Sequence, residues 1–164
     1  MPRLAVRNAT LVLPDQLVPH AGLTADAGTI TAVGPGVAAD DPTAVDLGGA
    51  YLAPGFVDLH VHGGDGADFM DLTADAFRAV CRCHARHGTT SLTPTSTVGT
   101  LDQYDRFLRL NDELVGADTG GARVLGGHLY GSFFAKEAKG CHPALDFLTP
   151  DPGRDAGDLG FAGR

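Results

Sequence analysis

Two histidines one residue apart, His60-Val61-His62, are the residues of this chain best suited to chemistry. Imidazole is a common protein ligand for divalent transition metals. On a β-strand, side chains two positions apart share a face, so both rings can grip one ion. A polar strand end with two solvated histidines is the plainer reading of the same residues. The surrounding run, Phe56-Val-Asp-Leu-His-Val-His62, alternates apolar and polar. It predicts Val57, Leu59 and Val61 buried against the following helix, with Asp58, His60 and His62 on the open side.

Other titratable residues carry blander expectations. His84 and His87 lie at a helix end, where a cation complements the dipole, and a structural role is expected. For His128 a supporting role beside a site is one reading, with a plain structural role as the other. Asp65, Asp68 and Asp71 follow a glycine-rich loop and read as solvated, and His20 sits among turn residues without an evident partner. Thr89, Thr90 and Thr93 are expected to hydrogen-bond at a strand mouth. Cys81 and Cys83 fall on different faces of a helix, which disfavours a metal pair.

The elements that must position these residues change character along the chain. Residues 1–53 read as short strands, Leu4–Leu13, Leu23–Asp26 and Thr29–Val33, separated by Pro14-Asp15, Ala27-Gly28 and Gly34-Pro35-Gly36. This is the grammar of a small antiparallel sheet that needs a partner to bury both faces. From Pro54 the pattern becomes strand, helix, strand, helix, strand. A helix capped by Thr73 carries Phe77, Val80, Cys81 and His84 on one face and stops at Gly88. Strand Thr89–Thr93 follows, then a helix over residues 101–115 with Tyr104, Phe107, Leu108 and Leu114 in register, then strand Arg123–Leu129. That alternation is a βαβ series with a parallel sheet. In such folds the strand C-terminal ends, where His60 and His62 fall, form the mouth of the active site.

Composition bounds the rest. The 164 residues are 43% apolar and 20% charged, and the 23 Gly and 10 Pro make up a fifth of the chain, too few for a low-complexity sequence. A net charge of −8 with a pI near 5.1 argues against a nucleic-acid partner. No apolar run is long enough for a membrane span, and the start lacks the apolar core and cleavage site of a signal peptide. Three cysteines without a paired spacing fit a reducing compartment, so a cytoplasmic location is expected.

Three stretches carry a family resemblance. Leu52-Ala-Pro-Gly-Phe-Val-Asp-Leu-His-Val-His-Gly63 resembles the opening of the amidohydrolase superfamily, whose members join a small N-terminal sheet to a metal-bearing barrel. His87-Gly-Thr-Thr-Ser-Leu-Thr-Pro-Thr95 resembles the second barrel strand of the N-acetylglucosamine-6-phosphate deacetylases. Gly127-His-Leu-Tyr-Gly-Ser-Phe-Phe134 and Lys139-Gly-Cys-His142 resemble their third strand and substrate loop.

The resemblance implies an α/β fold: a β-sandwich segment over residues 1–53, then, over 54–164, the first three βα units of a TIM-type (β/α)8 metal-dependent hydrolase barrel. A complete barrel takes about 250 residues, so the chain is expected to be the first two-fifths of such an enzyme, inactive by itself. The implied reaction is metal-dependent hydrolysis of the acetamide of an amino-sugar 6-phosphate, releasing acetate. His60 and His62 match metal ligands for zinc or a similar divalent ion, and Cys141 and His142 match the positions that touch the sugar. The family's acid/base Asp and its middle-strand His ligands fall beyond Arg164, and its full-length members allow a homo-oligomer.

One position departs from the pattern. Tyr130 stands where the family has a metal-binding Glu, and Ser132 replaces its Pro. A phenol with a pKa near 10 is a much poorer ligand at neutral pH, and Glu137 is too remote in sequence to substitute readily. The alternatives are another amidohydrolase, such as one opening a cyclic amide, or a non-catalytic truncated product.

Overall fold

The computed structural model describes residues 3–131 and 133–142; Ser132 and the loop expected over residues 151–160 lie outside them. The chain divides into two compact units, Met1–Pro54 and Gly55–Arg164.

The first unit is one sheet built on β1 (Leu4–Val12), with β2 (Leu17–Asp26), β3 (Thr29–Pro35), β4 (Val45–Asp46) and β5 (Tyr51–Leu52). Its strand order is β3-β2-β1-β4, and β5 also pairs with β1. The β2–β3 hairpin closes through Ala27 and Gly28, both at positive φ (48° and 83°), the turn whose twist suits adjacent strands. The expected antiparallel pairing holds among β1, β2 and β3, but the sheet is mixed, because β4 and β5 run parallel to β1. Parallel pairing needs a crossover, and residues 36–44 supply one as successive turns, such as Ala39 N–H to Gly36 C=O and Ala44 N–H to Asp41 C=O. Ala9, Leu11 and Ala21 form a small core, flanked by Leu13, Val18, Leu47 and Leu52.

The second unit opens with β6 (Phe56–Val61) and a small hairpin of β7 (Gly63–Gly64) and β8 (Ala67–Asp68). Helix α1 (Ala74–Arg86), β9 (Thr89–Pro94), α2 (Leu101–Leu114) and β10 (Arg123–Val124) follow. The three longer-range strands pair in parallel in the order β10-β9-β6. Thr73 caps α1 by accepting from Ala76 N–H at 3.2 Å, an interaction typically worth about 1 kcal/mol. Gly88, at φ 92°, lets the chain leave the helix directly into β9. Thr100 and Gln103 form a reciprocal capping box at the start of α2. Phe69, Phe77, Val80, Cys81, Leu92, Phe107 and Leu114 make the shared core, and the Phe69 and Phe77 rings meet edge to face at 4.7 Å.

Two expectations about these strands fail. Val61 is buried at 6% exposure, but Val57 and Leu59 are 59% and 62% exposed. Helix α1 packs over β9, β7 and β8, so the outer part of edge strand β6 has no cover. Strict alternation is also broken, since three steps along β6 from Asp58 to Val61 match two along β9 from Leu92 to Pro94. The strand expected over Arg123–Leu129 keeps its ladder only at Arg123–Val124. Gly126 then turns to φ 153°, and pairing resumes where His128 N–H bonds Pro94 C=O and Ser96 N–H bonds His128 C=O. No helix among the described residues is long and apolar enough to cross a membrane.

Candidate functional site

The end of β6 carries the histidine pair. Asp58 Oδ1 accepts from His60 N–H at 3.0 Å, and buried Thr95 Oγ1 accepts from Val61 N–H at 3.0 Å. These bonds hold the backbone on either side of the irregular step. The outcome is close: His60 Nε2 and His62 Nε2 stand 3.1 Å apart. Two nitrogens bound to one zinc at about 2.0–2.1 Å, near tetrahedral angles, stand roughly 3.0–3.4 Å apart. The pair therefore fits two ligand positions on a divalent ion. Burial, with His60 as the second cause, lowers the pKa of His62 and favours the neutral ring a metal needs. Its Nδ1 is buried without a well-aligned hydrogen bond, although the Thr95 backbone nearby favours its protonated form.

Around the pair is an aromatic shell. His128 lies 5.0 Å from His60 between ring centroids, and its Nδ1 is 3.1 Å from Leu59 C=O. His128 thus stands beside the pair. Tyr130 packs edge-on to His60 at 4.9 Å and lies 5.8 Å from His62. A ring thus lines the pair at the position where the resemblance implies a carboxylate. Ser96, fully buried, receives Tyr130 N–H at 2.9 Å and sets that backbone in place. Among the described residues, no three His, Cys, Asp or Glu side chains stand close enough together to hold an ion. The pair fits a metal; a complete ligand set is not assembled.

Cys141 and His142 reach the same place from far along the sequence. With His62, Asp68, Thr97 and Tyr130 they line a hollow of about 410 Å³. His142 stacks on Phe134 at 4.8 Å and 28°, and its Nδ1 lies 2.8 Å from Thr97 Oγ1. Cys141 is exposed, and all three cysteines are free thiols.

The residues with bland expectations have structural partners. Asp68 accepts from Met70 N–H and Asp71 from Asp68 N–H, a capping box on the short turn of helix Phe69–Asp71. Asp65 pairs with Arg86. His84 Nε2 is 3.1 Å from Gly63 C=O, which ties α1 to the loop after the histidine pair. Glu137 is exposed on a short helical turn, Lys136–Ala138. The sequence reading missed the hydroxyl run Thr95-Ser96-Thr97, which contacts Val61, Tyr130 and His142 in turn. Its signal was available: three hydroxyls in succession directly after the last residue of β9.

No protein-family model matches the chain. The N-acetylglucosamine-6-phosphate deacetylase of Bos taurus is 40% identical over 101 residues, 60% of this chain and 24% of that protein. The N-acetylgalactosamine-6-phosphate deacetylase of Escherichia coli O157:H7 is 36% identical over 92 residues, 56% of this chain and 24% of that protein. A variant N-acetyl-D-glucosamine-6-phosphate deacetylase of Mycobacterium smegmatis, solved with N-acetyl-D-glucosamine-6-phosphate, superposes with a TM-score of 0.78 at 27% identity. That match covers 98% of this chain and 40% of the solved chain. The chain spans about a quarter of the length of the curated relatives it matches. In sequence and in α/β fold, it is similar to the N-terminal part of the N-acetylglucosamine-6-phosphate deacetylases.

Proposed function

We propose that this chain is the metal-ligating and sugar-contacting N-terminal part of a hydrolase that removes the acetyl group from an amino-sugar 6-phosphate. The observation that carries the reading is the hollow that gathers His62 with Cys141 and His142. Two motifs 80 positions apart meet there, at the end of a parallel strand. Residues 1–53 form the N-terminal β-module of this enzyme, and residues from 54 onward the first barrel units.

His60 and His62 hold a divalent ion such as zinc through their paired Nε2 atoms. That ion supplies Lewis-acid polarisation of the acetamide carbonyl. Tyr130 walls the hollow with its ring, Phe134 backs Tyr130 and His142, and His142 contacts the sugar. Burial, then the neighbouring His60, lowers the pKa of His62 and so favours its unprotonated ring. Asp68, the carboxylate lining the hollow, already serves as a helix cap. Among the described residues no other carboxylate lines the hollow for acid–base work, which is typically worth 10²–10⁴-fold.

These 164 residues prepared alone are expected to bind divalent metal weakly and to release no acetate. The assay is acetate release from N-acetylglucosamine 6-phosphate and its galacto epimer with added zinc, on the parent chain, Tyr130→Glu and His60→Ala. Tyr130→Glu should tighten zinc binding modestly with turnover still undetectable. Zinc-dependent turnover by the parent chain, lost in His60→Ala, would refute the proposed inactivity. Zinc binding unchanged in His60→Ala would remove the metal assignment.

A further inference from the structure

His142 is held by contacts of different kinds. Its ring is stacked on Phe134, its carbonyl accepts from Lys139 Nζ at 2.9 Å, and its Nδ1 lies 2.8 Å from Thr97 Oγ1. The last contact decides what the ring can do. A neutral imidazole carries one N–H and one lone pair, and whichever nitrogen is occupied fixes the role of the other. Among the described residues, Thr97 Oγ1 has no hydrogen-bond partner besides His142 Nδ1. When the hydroxyl donates to that nitrogen, the ring proton is left on Nε2.

We infer that Thr97 is a positioning residue for His142: its hydroxyl donates to Nδ1, fixing the Nε2–H tautomer so that His142 donates a hydrogen bond to an oxygen of the ligand in the hollow. Thr97 and His142 both line that hollow, so the oriented donor and its support belong to one surface. The inference deepens the amino-sugar phosphate reading and rests on it for the identity of the ligand. The tautomer itself does not depend on that reading. Substrate oxygens offer acceptors in the sugar hydroxyls, the acetamide carbonyl and the phosphate, and an Nε2–H suits each of them. A lone pair at Nε2 would instead suit only the sugar's hydroxyl and amide donors.

The test is nitrogen-15 NMR of the His142 ring in the full chain at pH 8, assigned by its loss in His142→Gln. The expected spectrum shows a protonated Nε2 and an unprotonated, hydrogen-bonded Nδ1. Thr97→Val should shift this pattern toward a mixture of tautomers, and Thr97→Ser should restore it. A parent spectrum with the proton on Nδ1 overturns the inference without any variant, so a misfolded Thr97→Val does not leave it open. A Thr97→Val spectrum identical to the parent also overturns it. N-acetylglucosamine 6-phosphate is then titrated into each protein. It should move the Nε2 resonance, with affinity several-fold weaker in Thr97→Val and recovered in Thr97→Ser. If the tautomer responds to Thr97 as expected but the sugar phosphate leaves Nε2 unmoved, the ligand reading fails while the Thr97–His142 link stands.

Discussion

The two units contain hollows of similar size and opposite character. In the first, Arg7, Asn8, His20, Ala39 and Asp46 line about 270 Å³. Its polar groups are turned on each other: Asn8 Nδ2 donates to Asp46 Oδ1 at 2.9 Å, Arg7 faces Asp46 at 3.5 Å, and Arg7 donates to Ala39 C=O. In the second, of about 410 Å³, imidazoles and a phenol are stacked edge to face around the His60–His62 pair. An ion pair that closes a hollow leaves little for a ligand to gain. Ring nitrogens that face each other and not an ion pair are left to meet a ligand. The cores differ in the same sense, with two alanines and a leucine in one unit and three buried phenylalanines in the other.

The largest expected effect tests the cores. Phe77 is fully buried between Phe69 and Phe107, so Phe77→Ala should cost about 3–5 kcal/mol in urea denaturation. A loss below 1 kcal/mol would mean that the aromatic core is not the main support of the second unit.

Next comes the contrast between the hollows themselves. Zinc titration calorimetry should show affinity falling on the order of 100-fold in His60→Ala, at the upper end of what even an outer-shell change costs. His20→Ala should leave it unchanged. Equal losses in both would erase the distinction drawn between a closed and an open hollow.

A third, smaller effect concerns β6. Phe56, Val57 and Leu59 are exposed on an edge strand, an arrangement that templates association. Val57→Lys should raise the concentration at which the chain associates several-fold in sedimentation velocity. Its stability should change by no more than about 0.5 kcal/mol, as for other surface substitutions. A parent chain that stays monomeric at high concentration would sink this expectation.

The smallest is a pH effect in the first unit. Hydrogen bonds from the Thr43 side chain and backbone, then Arg3, lower the pKa of Asp41 to about 2. A depressed carboxylate stabilises the fold above its unfolded pKa of about 3.9, and that contribution fades as pH falls toward 2. Asp41→Asn should therefore destabilise at pH 6 and approach the parent near pH 2. Parallel stability curves across that range would show that Asp41 is not linked to folding.

Local chemistry was readable where one segment suffices. Thr73 caps α1, Gly88 ends it, and Phe77, Val80 and Cys81 face inward, because helix periodicity and capping depend on neighbours within a few residues. The histidine pair was readable for the same reason. The alternation of β6 misled at Val57 and Leu59, since burial depends on which element lies over the strand. The parallel run of β4 and β5 beside β1 was hidden as well, because pairing direction is set by how the chain returns through residues 36–44.

The sequence by itself therefore determined the two helices of the second unit, the His60–His62 pair and the kinship of the motifs, all short-range patterns of residue type. Tertiary structure decided what surrounds the pair. It brought Tyr130 and His142 to one hollow, set His128 against His60, and gave each of them a hydroxyl partner from Thr95, Ser96 or Thr97. Those contacts span 33 to 45 residues between the hydroxyls and their partners. No local periodicity encodes such a meeting. It follows from parallel strands ending side by side, which places their last residues, however distant in sequence, at one edge of the sheet.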